Sequence, residues 1–539
     1  MTKKKKAVWT VMVYLAGDNN LSEECVFALT EMKKVTPSEK INVIAQFDPM
    51  DDFLPTHRYE INGQGAKSPL IDDIFDEAAF SKKTGEVHFK KESKQANALA
   101  TARLKHQKET KSKLSDRDRV LGDPIPEDDE ITNDTDTGSP ITLYNFLSFC
   151  IQQYPADHYM VVLSGHAGGT ERDYLLKDQS SAGSLTFNEL KQAFKQLQTD
   201  LKGHPLDILG MDNCLMSMGE ICYELRGLVQ TIVGCESYSP ASGWPYRQIL
   251  ERLTKDFAIS ELPRGRSVPV EFAKAIVEEY VNYYSDYWLG GMSVAQSALD
   301  VSKVKKLREH VDKLAKVLEH ELKKEDDNNT EKRNKINPFQ DALVLAHWEA
   351  QSYNGELFVD LYDFCDCLER RLHSGPIAKR CKEVKSFISS EFVLRSCYSG
   401  AVYQFSHGVS MYFPWSEVMK SYENLDFIQD SDGEGWGRFL DTYTNLTRRE
   451  PRGIHGSAKL SEANSSLAQK VRKTSDRKTS DRKTSDRKTS DRSAAGGNEI
   501  HSMRNPPVVF FPQDCISDHK GMVVGQERLF GQDNSRDNT

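Results

Sequence analysis

A chain of 539 residues is too long for one ordinary hydrophobic core, so one large domain with additions, or two to three domains, is expected. It is 38% hydrophobic, enough for a globular interior, and its net charge of −9 argues against a protein that mainly grips nucleic acid or an acidic membrane surface. The ten cysteines (Cys25, Cys150, Cys214, Cys222, Cys235, Cys365, Cys367, Cys381, Cys397 and Cys515) include no C-x-x-C pair, which leaves a zinc ribbon or thioredoxin-type motif unsupported. Spread thinly, they read as reduced cytosolic thiols and not as a disulfide framework.

The first segment, "MTKKKKAVWTVMVYLAG", has four lysines ahead of an apolar run, the outline of a signal peptide. A cut after Ala16 would leave the bulky Tyr14 where a small residue is wanted, and "VWTVMVYL" alternates β-branched and aromatic residues as a buried strand does. The strand reading carries a cytoplasmic location with it. No run reaches the ~18 apolar residues of a spanning helix, so no transmembrane segment is expected. A polar turn follows, in which Asn20 or Ser22 would cap the helix "SEECVFALTEMKKV". "INVIAQFD" (41–48) is a second buried strand, and this βαβ opening predicts a parallel sheet with helices on its faces. "THRYEIN" is placed as a third, antiparallel strand.

Residues 64–138 break the rhythm with a basic stretch and then an acidic, turn-rich one, and read as an exposed charged insertion. The α/β alternation resumes with the helix "ITLYNFLSFCIQQYP", the strand "HYMVVLSGHAGG", the capped helix "SLTFNELKQAFKQL", the strand "LDILGMDNC", the helix "LMSMGEICYELRG" and the strand "VQTIVGCESYSP". Helices are expected at 268–285, 300–324 and 355–373. "GVSMYFP" (408–414) reads as a late strand returning to the sheet, and "EGWGRFLDTYTNL" as the last amphipathic helix. From Arg472 the unit RKTSD repeats four times, a polar, charge-alternating tract with nothing from which to build a core. The organisation predicted is thus an α/β core at 1–300 carrying the insertion, a mainly helical part at 301–449, and a flexible tail at 450–539.

Two residues carry chemistry. His166 ends an apolar strand and is followed by Ala167, Gly168 and Gly169, small residues that let backbone approach a ligand. Cys214 also ends a strand, and a helix start directly after it would put the sulfur near free N–H groups that stabilise a thiolate. Each alone is more often packing than chemistry. As a pair they lie 48 residues apart with the histidine first, the order and approximate interval of caspase-type cysteine proteases. Backbone N–H groups at Cys214 and in the "HAGG" loop would bind an oxyanion. No G-x-S-x-G, H-E-x-x-H or P-loop competes.

The blocks "WTVMVYLAGDNNL", "YPADHYMVVLSGHAGG", "DILGMDNCLMSMGEICYELR", "ESYSPASGWPY" and "GVSMYFP" together resemble the clostripain-like cysteine peptidases, relatives of gingipain, legumain and separase. The resemblance implies a caspase-like three-layer sandwich, mostly parallel sheet with helices on both faces. It also implies a cysteine endopeptidase with His166 and Cys214 catalytic, Ala167 and Cys214 supplying the oxyanion N–H groups, and Asp212 selecting Arg or Lys in protein or peptide substrates. A carboxylate suits that task because it pairs with a guanidinium in bidentate geometry; the plain alternative for Asp212 is a strand-end hydrogen bond. The family's usual glycine after the histidine is Ala167 here, and a position often acidic in relatives is Ser242. Self-cleavage between histidine and cysteine, as in a zymogen, is implied at Arg172 or Lys177. No cofactor is required by the reaction; calcium is implied by the resemblance without ligands, and Asp173, Asp178 and "EDDEITNDTD" read as solvated acids with no EF-hand spacing. Neither nucleic acid nor membrane is expected as a partner. The competing reading is a catalytically silent caspase-fold scaffold whose insertion and tail are the working parts.

Overall fold

The computed structural model describes residues 5–50, 56–61, 79–80, 87–88, 136–259, 261–285, 293–327, 338–431, 434–448 and 508–510. Most of the charged insertion and the RKTSD tract lie outside the described residues.

Strand β1 (Ala7–Gly17) is buried along its whole length. Trp9, Val11, Val13 and Leu15 enter one hydrophobic cluster, while Met12, Tyr14 and Ala16 enter another. A strand covered on both faces has no reason to alternate with polar residues, which is why this segment reads as one continuous apolar run. Parallel neighbours flank it: β2 (Ile41–Pro49) on one side and β4 (Ala156–Ser164) on the other. β3 (His57–Glu60) closes the β2 edge antiparallel, as expected. Beyond β4 come β5 (Leu206–Asp212) and β6 (Val229–Gly234), both parallel. Two antiparallel strands then follow, β7 (Val294–Asp300) and β9 (Val393–Ser399), neither of which stood out in the sequence. A last short strand, β11 (Val508–Phe510), pairs antiparallel with β9. The nine-stranded order is β11-β9-β7-β6-β5-β4-β1-β2-β3.

Helices cover both faces and make the three-layer α/β sandwich that was expected. One face holds α1 (Ser22–Lys33), α5 (Tyr246–Arg252) and α6 (Val268–Ser285). The other holds α2 (Pro140–Gln153), α3 (Phe187–Asp200), α4 (Gly219–Glu224) and the C-terminal helices α7 (Val304–Asp327), α8 (Pro338–Glu349), α9 (Leu361–Leu372), α10 (Pro376–Phe387) and α11 (Trp436–Arg448). Local chemistry fixes several starts. Ser139 accepts from the Ile141 N–H ahead of Pro140 at α2, and Thr186 and Glu189 form a reciprocal capping box at α3. Asp360 caps α9, so the stretch expected as one helix at 355–373 is instead β8 (Phe358–Asp360) followed by that helix.

Two expectations are corrected. The strand in "GVSMYFP", β10 (Ser410–Tyr412), does not return to the main sheet. It pairs antiparallel with β8, which also pairs with Ser352–Tyr353, in a separate three-stranded sheet. The apolar run alone carries no information about which edge it meets; β8 offers a complementary edge, and β10 touches the core loop through Ser410 N–H donating to Ser217 O (2.9 Å). The second correction concerns α1, whose first turn is not capped by Asn20 or Ser22. Leu21 is the cap position and its N–H donates to Asn19 Oδ1 (2.9 Å). Ser22 Oγ accepts from Met50 N–H, and Asn20 is committed elsewhere.

Candidate active site

Sites form at the carboxyl edge of open parallel sheets, and here that edge is lined in space by the ends of β2, β1, β4, β5 and β6. β4 and β5 are in register with Ser164 opposite Asp212. Past that pair the two chains stay bonded: Asn213 Nδ2 donates to Gly165 O (2.6 Å). His166 and Cys214, each two residues beyond the paired positions, therefore leave the sheet side by side. Both are half-buried.

Asn20, in the turn after β1, reaches His166 from the other side of β4, with Oδ1 2.7 Å from Nε2. With Oδ1 as the acceptor, the ring proton lies on Nε2 and Nδ1 is left to accept. Burial, then the charge of Lys177, lowers the His166 pKa below its ordinary value. The imidazole is thus neutral near pH 7 and competent to take a proton.

Cys214 differs from expectation. α4 begins only at Gly219, and residues 213–218 form a loop in which Leu215 adopts a φ of 63°. The sulfur is not seated on a helix N-terminus. Among the described residues its amide donor is Ser239 N–H at 3.3 Å. Burial raises the Cys214 thiol, the Ser239 N–H pulls it down, and Asp212 pushes it up; the net direction is upward. Both shifts favour the uncharged form of each group, the imidazole of His166 and the thiol of Cys214.

Ala167 is not among the described residues with positive φ, so replacing the usual glycine leaves the backbone in ordinary geometry. Leu176 N–H donates to His166 O and Gly168 N–H to Tyr174 O. Among the described residues neither the Ala167 nor the Cys214 N–H enters a backbone hydrogen bond, which leaves both able to bind an oxyanion. Gly169, at φ 64°, is required: a Cβ there would sit 2.8 Å from the Phe358 ring.

Asp212 is 5% exposed, and its Oδ2 accepts from Tyr246 OH (2.8 Å) and Ser164 Oγ (3.0 Å). Burial lifts its pKa to about 6 against the pull of Tyr246, the Trp244 N–H and Ser164. Gly243, at φ 67°, lies so close that a Cβ would be 2.8 Å from Oδ2. Ser242 turns away from this carboxylate, its Oγ lying 2.9 Å from Tyr284 OH.

The loop between histidine and cysteine holds the candidate cleavage sites. Arg172 is exposed at the end of a single helical turn. Lys177 is exposed too, but its carbonyl is held by Asn19 Nδ2 at 2.7 Å. Asp173 is no free acid, since its Oδ1 accepts from Phe187 N–H at the start of α3 (2.8 Å). Asp178 corrects the solvated reading outright, being fully buried. Of the acidic run, only Asp136 is among the described residues, and it accepts from Gly138 N–H and Ser181 Oγ.

Asn20, Asn213, Ser239 and Tyr246 escaped the sequence reading as site residues. Their only signal is position: "GDNN" and "ESYSP" follow apolar strands, but which strands are neighbours is decided by the sheet order.

Residues 13–442 match the model of the clostripain family. The chain is 23% identical over 403 residues to clostripain of Hathewaya histolytica, across 68% of this chain and 67% of that protein. Among solved structures it is similar to a secreted C11 cysteine protease from Bacteroides thetaiotaomicron in complex with an irreversible peptide inhibitor (15% identity, TM-score 0.49, 79% of this chain and 99% of the other). It is also similar to an inactive zymogen C11 protease from Parabacteroides distasonis (16% identity, TM-score 0.47, 79% and 99%). With the family model matching most of its length, the chain belongs to the clostripain family of cysteine proteases.

Proposed function

We propose that this chain is an endopeptidase that cleaves protein or peptide substrates after Arg or Lys, with Cys214 as nucleophile and His166 as its general base. The observation that carries the reading is the departure of His166 and Cys214 from adjacent, register-locked strands. The neutral imidazole takes the Cys214 proton as the sulfur attacks the scissile carbonyl. The Ala167 and Cys214 N–H groups hold the oxyanion, and the imidazolium returns its proton to the leaving amine. His166 then activates water to break the thioester, which restores both groups. Only protein side chains and backbone act in this sequence, so no cofactor is needed for the bond-breaking steps.

Asp212 is the reader of the basic side chain in this proposal. Its position two residues before the proposed nucleophile supports this role, and it is ionised above a pH of about 6. Its bonds to Tyr246 and Ser164 also hold the strand end, so both roles fall on one carboxylate. Self-cleavage is proposed at Arg172 or Lys177, both exposed in the loop between His166 and Cys214. The insertion at 64–138 and the tail at 450–539 are additions to the catalytic unit.

The test is turnover of short peptide amides ending in Arg, Lys or Leu by wild type and Cys214→Ala, with a mass-spectrometric map of each protein. Wild type is expected to release Arg and Lys amides, and only wild type to be cut between His166 and Cys214. Equal turnover by the two proteins would remove Cys214 from the mechanism.

A further inference from the structure

The strip of chain from Cys235 to Ser239, directly after β6, is bonded along the segment that carries Cys214. Cys235 O accepts from the Met216 and Ser217 N–H groups (2.9 and 3.0 Å), and Ser237 O accepts from Leu215 N–H (2.9 Å). Ser239 N–H donates to Cys214 Sγ (3.3 Å). Glu236 stands between the first two of these carbonyls and is 2% exposed. Its side chain reaches the C-terminal part, where Oε2 accepts from Gly408 N–H (2.8 Å). Gly408 O in turn accepts from Ser217 Oγ (2.8 Å) and Ser297 Oγ (2.6 Å), which closes a ring of bonds around residues 214–217.

Asp360, at the end of β8, is fully buried. Its Oδ2 accepts from His407 N–H (2.5 Å) and its Oδ1 from Asp363 N–H (2.7 Å). The amides of His407 and Gly408 are consecutive in the chain, so the two carboxyls that they bind are neighbours. Two buried carboxyls side by side do not both ionise. Asp360 has a donor on each oxygen, and His407 Nδ1 lies 3.2 Å from its Oδ1. Glu236 Oε1, by contrast, is a buried carboxylate oxygen with no hydrogen-bond partner. A proton on Oε1 turns that unpartnered acceptor into a donor, so Glu236 is the member of the pair that holds it.

Three further titratable groups face the pair. Tyr353 OH lies 2.6 Å from Ser406 Oγ, Asp363 Oδ2 accepts from Gln351 N–H (2.7 Å), and the His407 ring stacks on Tyr362. One imidazolium against three carboxyls still leaves surplus negative charge. Burial, then Asp360, raise Glu236 well above the usual carboxylate range, against the pull of the Gly408 N–H and Tyr353. Burial, then Asp360, also lift Asp363 to about 7. Burial pulls His407 down and Asp360 draws it up, with a net rise.

We propose that Glu236 is a positioning residue for Cys214: as a neutral acid that shares one proton with Asp360, it fastens the strip beside the nucleophile to β8 and the Gly408 backbone. The inference rests on the reading of Cys214 as nucleophile, since Glu236 acts only through residues 214–217. Loss of the proton sets two anions side by side, and the carbonyls on either side of Glu236 shift as its side chain is repelled. Turnover thus depends on a proton remote from the reacting atoms.

The experiment compares wild type, Glu236→Gln and Glu236→Ala on an Arg peptide amide between about pH 6 and about pH 10, with Cys214→Ala as the blank. Melting temperature is read over the same range. Near neutrality Glu236→Ala is expected to lose kcat about a hundredfold with KM little changed. Glu236→Gln keeps the shape and the donor of the protonated acid, and should hold kcat to within about threefold of wild type. A folded-state pKa above the unfolded value gives stability that is complete at acid pH and lost as pH rises through it. Wild type is therefore expected to lose both kcat/KM and melting temperature at alkaline pH, and Glu236→Gln to lack that share of each decline. Glu236→Gln as impaired as Glu236→Ala overturns the proposal, as does an alkaline limb unmoved in Glu236→Gln or a wild-type kcat in Glu236→Ala. A wild type no faster than the Cys214→Ala blank removes the nucleophile and the positioning role with it, whereas an active wild type with an unmoved limb removes only the role of Glu236. Should Glu236→Ala fail to fold, the comparison of wild type with Glu236→Gln decides the matter.

Discussion

Asn20 Oδ1 lies 2.7 Å from Nε2 of His166, joining the turn after β1 to the end of β4. An amide oxygen there selects one imidazole tautomer and orients the ring while adding little charge. Asn20→Ala is expected to lower kcat on the order of a hundredfold, less than the loss of a charged orienting group, with KM little changed. Asn20→Asp supplies the oxygen with a charge and should recover much of kcat. It should also move the acidic limb of the kcat/KM profile upward, because a carboxylate favours imidazolium. A purely structural Asn20 would leave that limb in place.

The upward shift of Cys214 and downward shift of His166 predict the pH dependence of alkylation. A stored thiolate–imidazolium pair would react with iodoacetamide quickly and almost independently of pH near neutrality. A neutral pair reacts slowly near neutrality and faster only as the pH rises past the ordinary thiol range, where the thiol ionises. The second profile is expected in the substrate-free enzyme, measured by the mass gained at Cys214.

Asp212 gives a third test. If it reads the substrate's cation, kcat/KM for Arg substrates should rise with pH until Asp212 is ionised, near its pKa of about 6. Asp212→Asn should abolish that limb and bring Arg and Leu substrates to within about tenfold of each other. A variant that keeps full Arg preference would leave Asp212 only its bonds to Ser164 and Tyr246.

Stability should also depend on pH through Glu220. This buried carboxyl accepts from Tyr412 N–H (2.8 Å) and Tyr422 OH (2.9 Å), joining α4 to the C-terminal part. Burial pushes its pKa to about 7, against the pull of the Tyr412 N–H and Tyr422. A folded-state pKa above the unfolded value means stability is complete at acid pH and is lost as pH rises through 7. Glu220→Gln should flatten the melting temperature between about pH 5 and pH 8, where wild type declines.

Trp436 is fully buried against Phe413 and Phe439, and its Nε1–H donates to Tyr412 O (3.0 Å). Trp436→Ala removes a large buried side chain and its hydrogen bond to Tyr412 O, for an expected loss of about 3–5 kcal/mol by denaturant titration. Because Phe413 and Phe439 share a cluster with Met216 and Leu215 beside Cys214, activity should fall at a lower denaturant concentration as well.

What the sequence determined alone was local or periodic. The apolar runs of β1, β2, β4 and β5 read as buried strands, and "SLTFNELKQAFKQL" as a capped helix. His166 and Cys214 stood out because each ends such a run before small residues. β7 and β9 were missed because "VAQSALD" and "VLRSCYS" carry polar residues within the run, so their strand state rests on pairing with neighbours.

Tertiary structure decided everything that needed two distant segments at once. It took Asn20 from a helix cap to an imidazole, and moved Asp178 from a presumed surface loop to full burial. It also set β10 in a second sheet, and started α4 five residues after Cys214, whose thiol is then shifted upward by burial. Burial and hydrogen bonding are properties of neighbours in space, and for these residues every decisive neighbour lies far away in the chain.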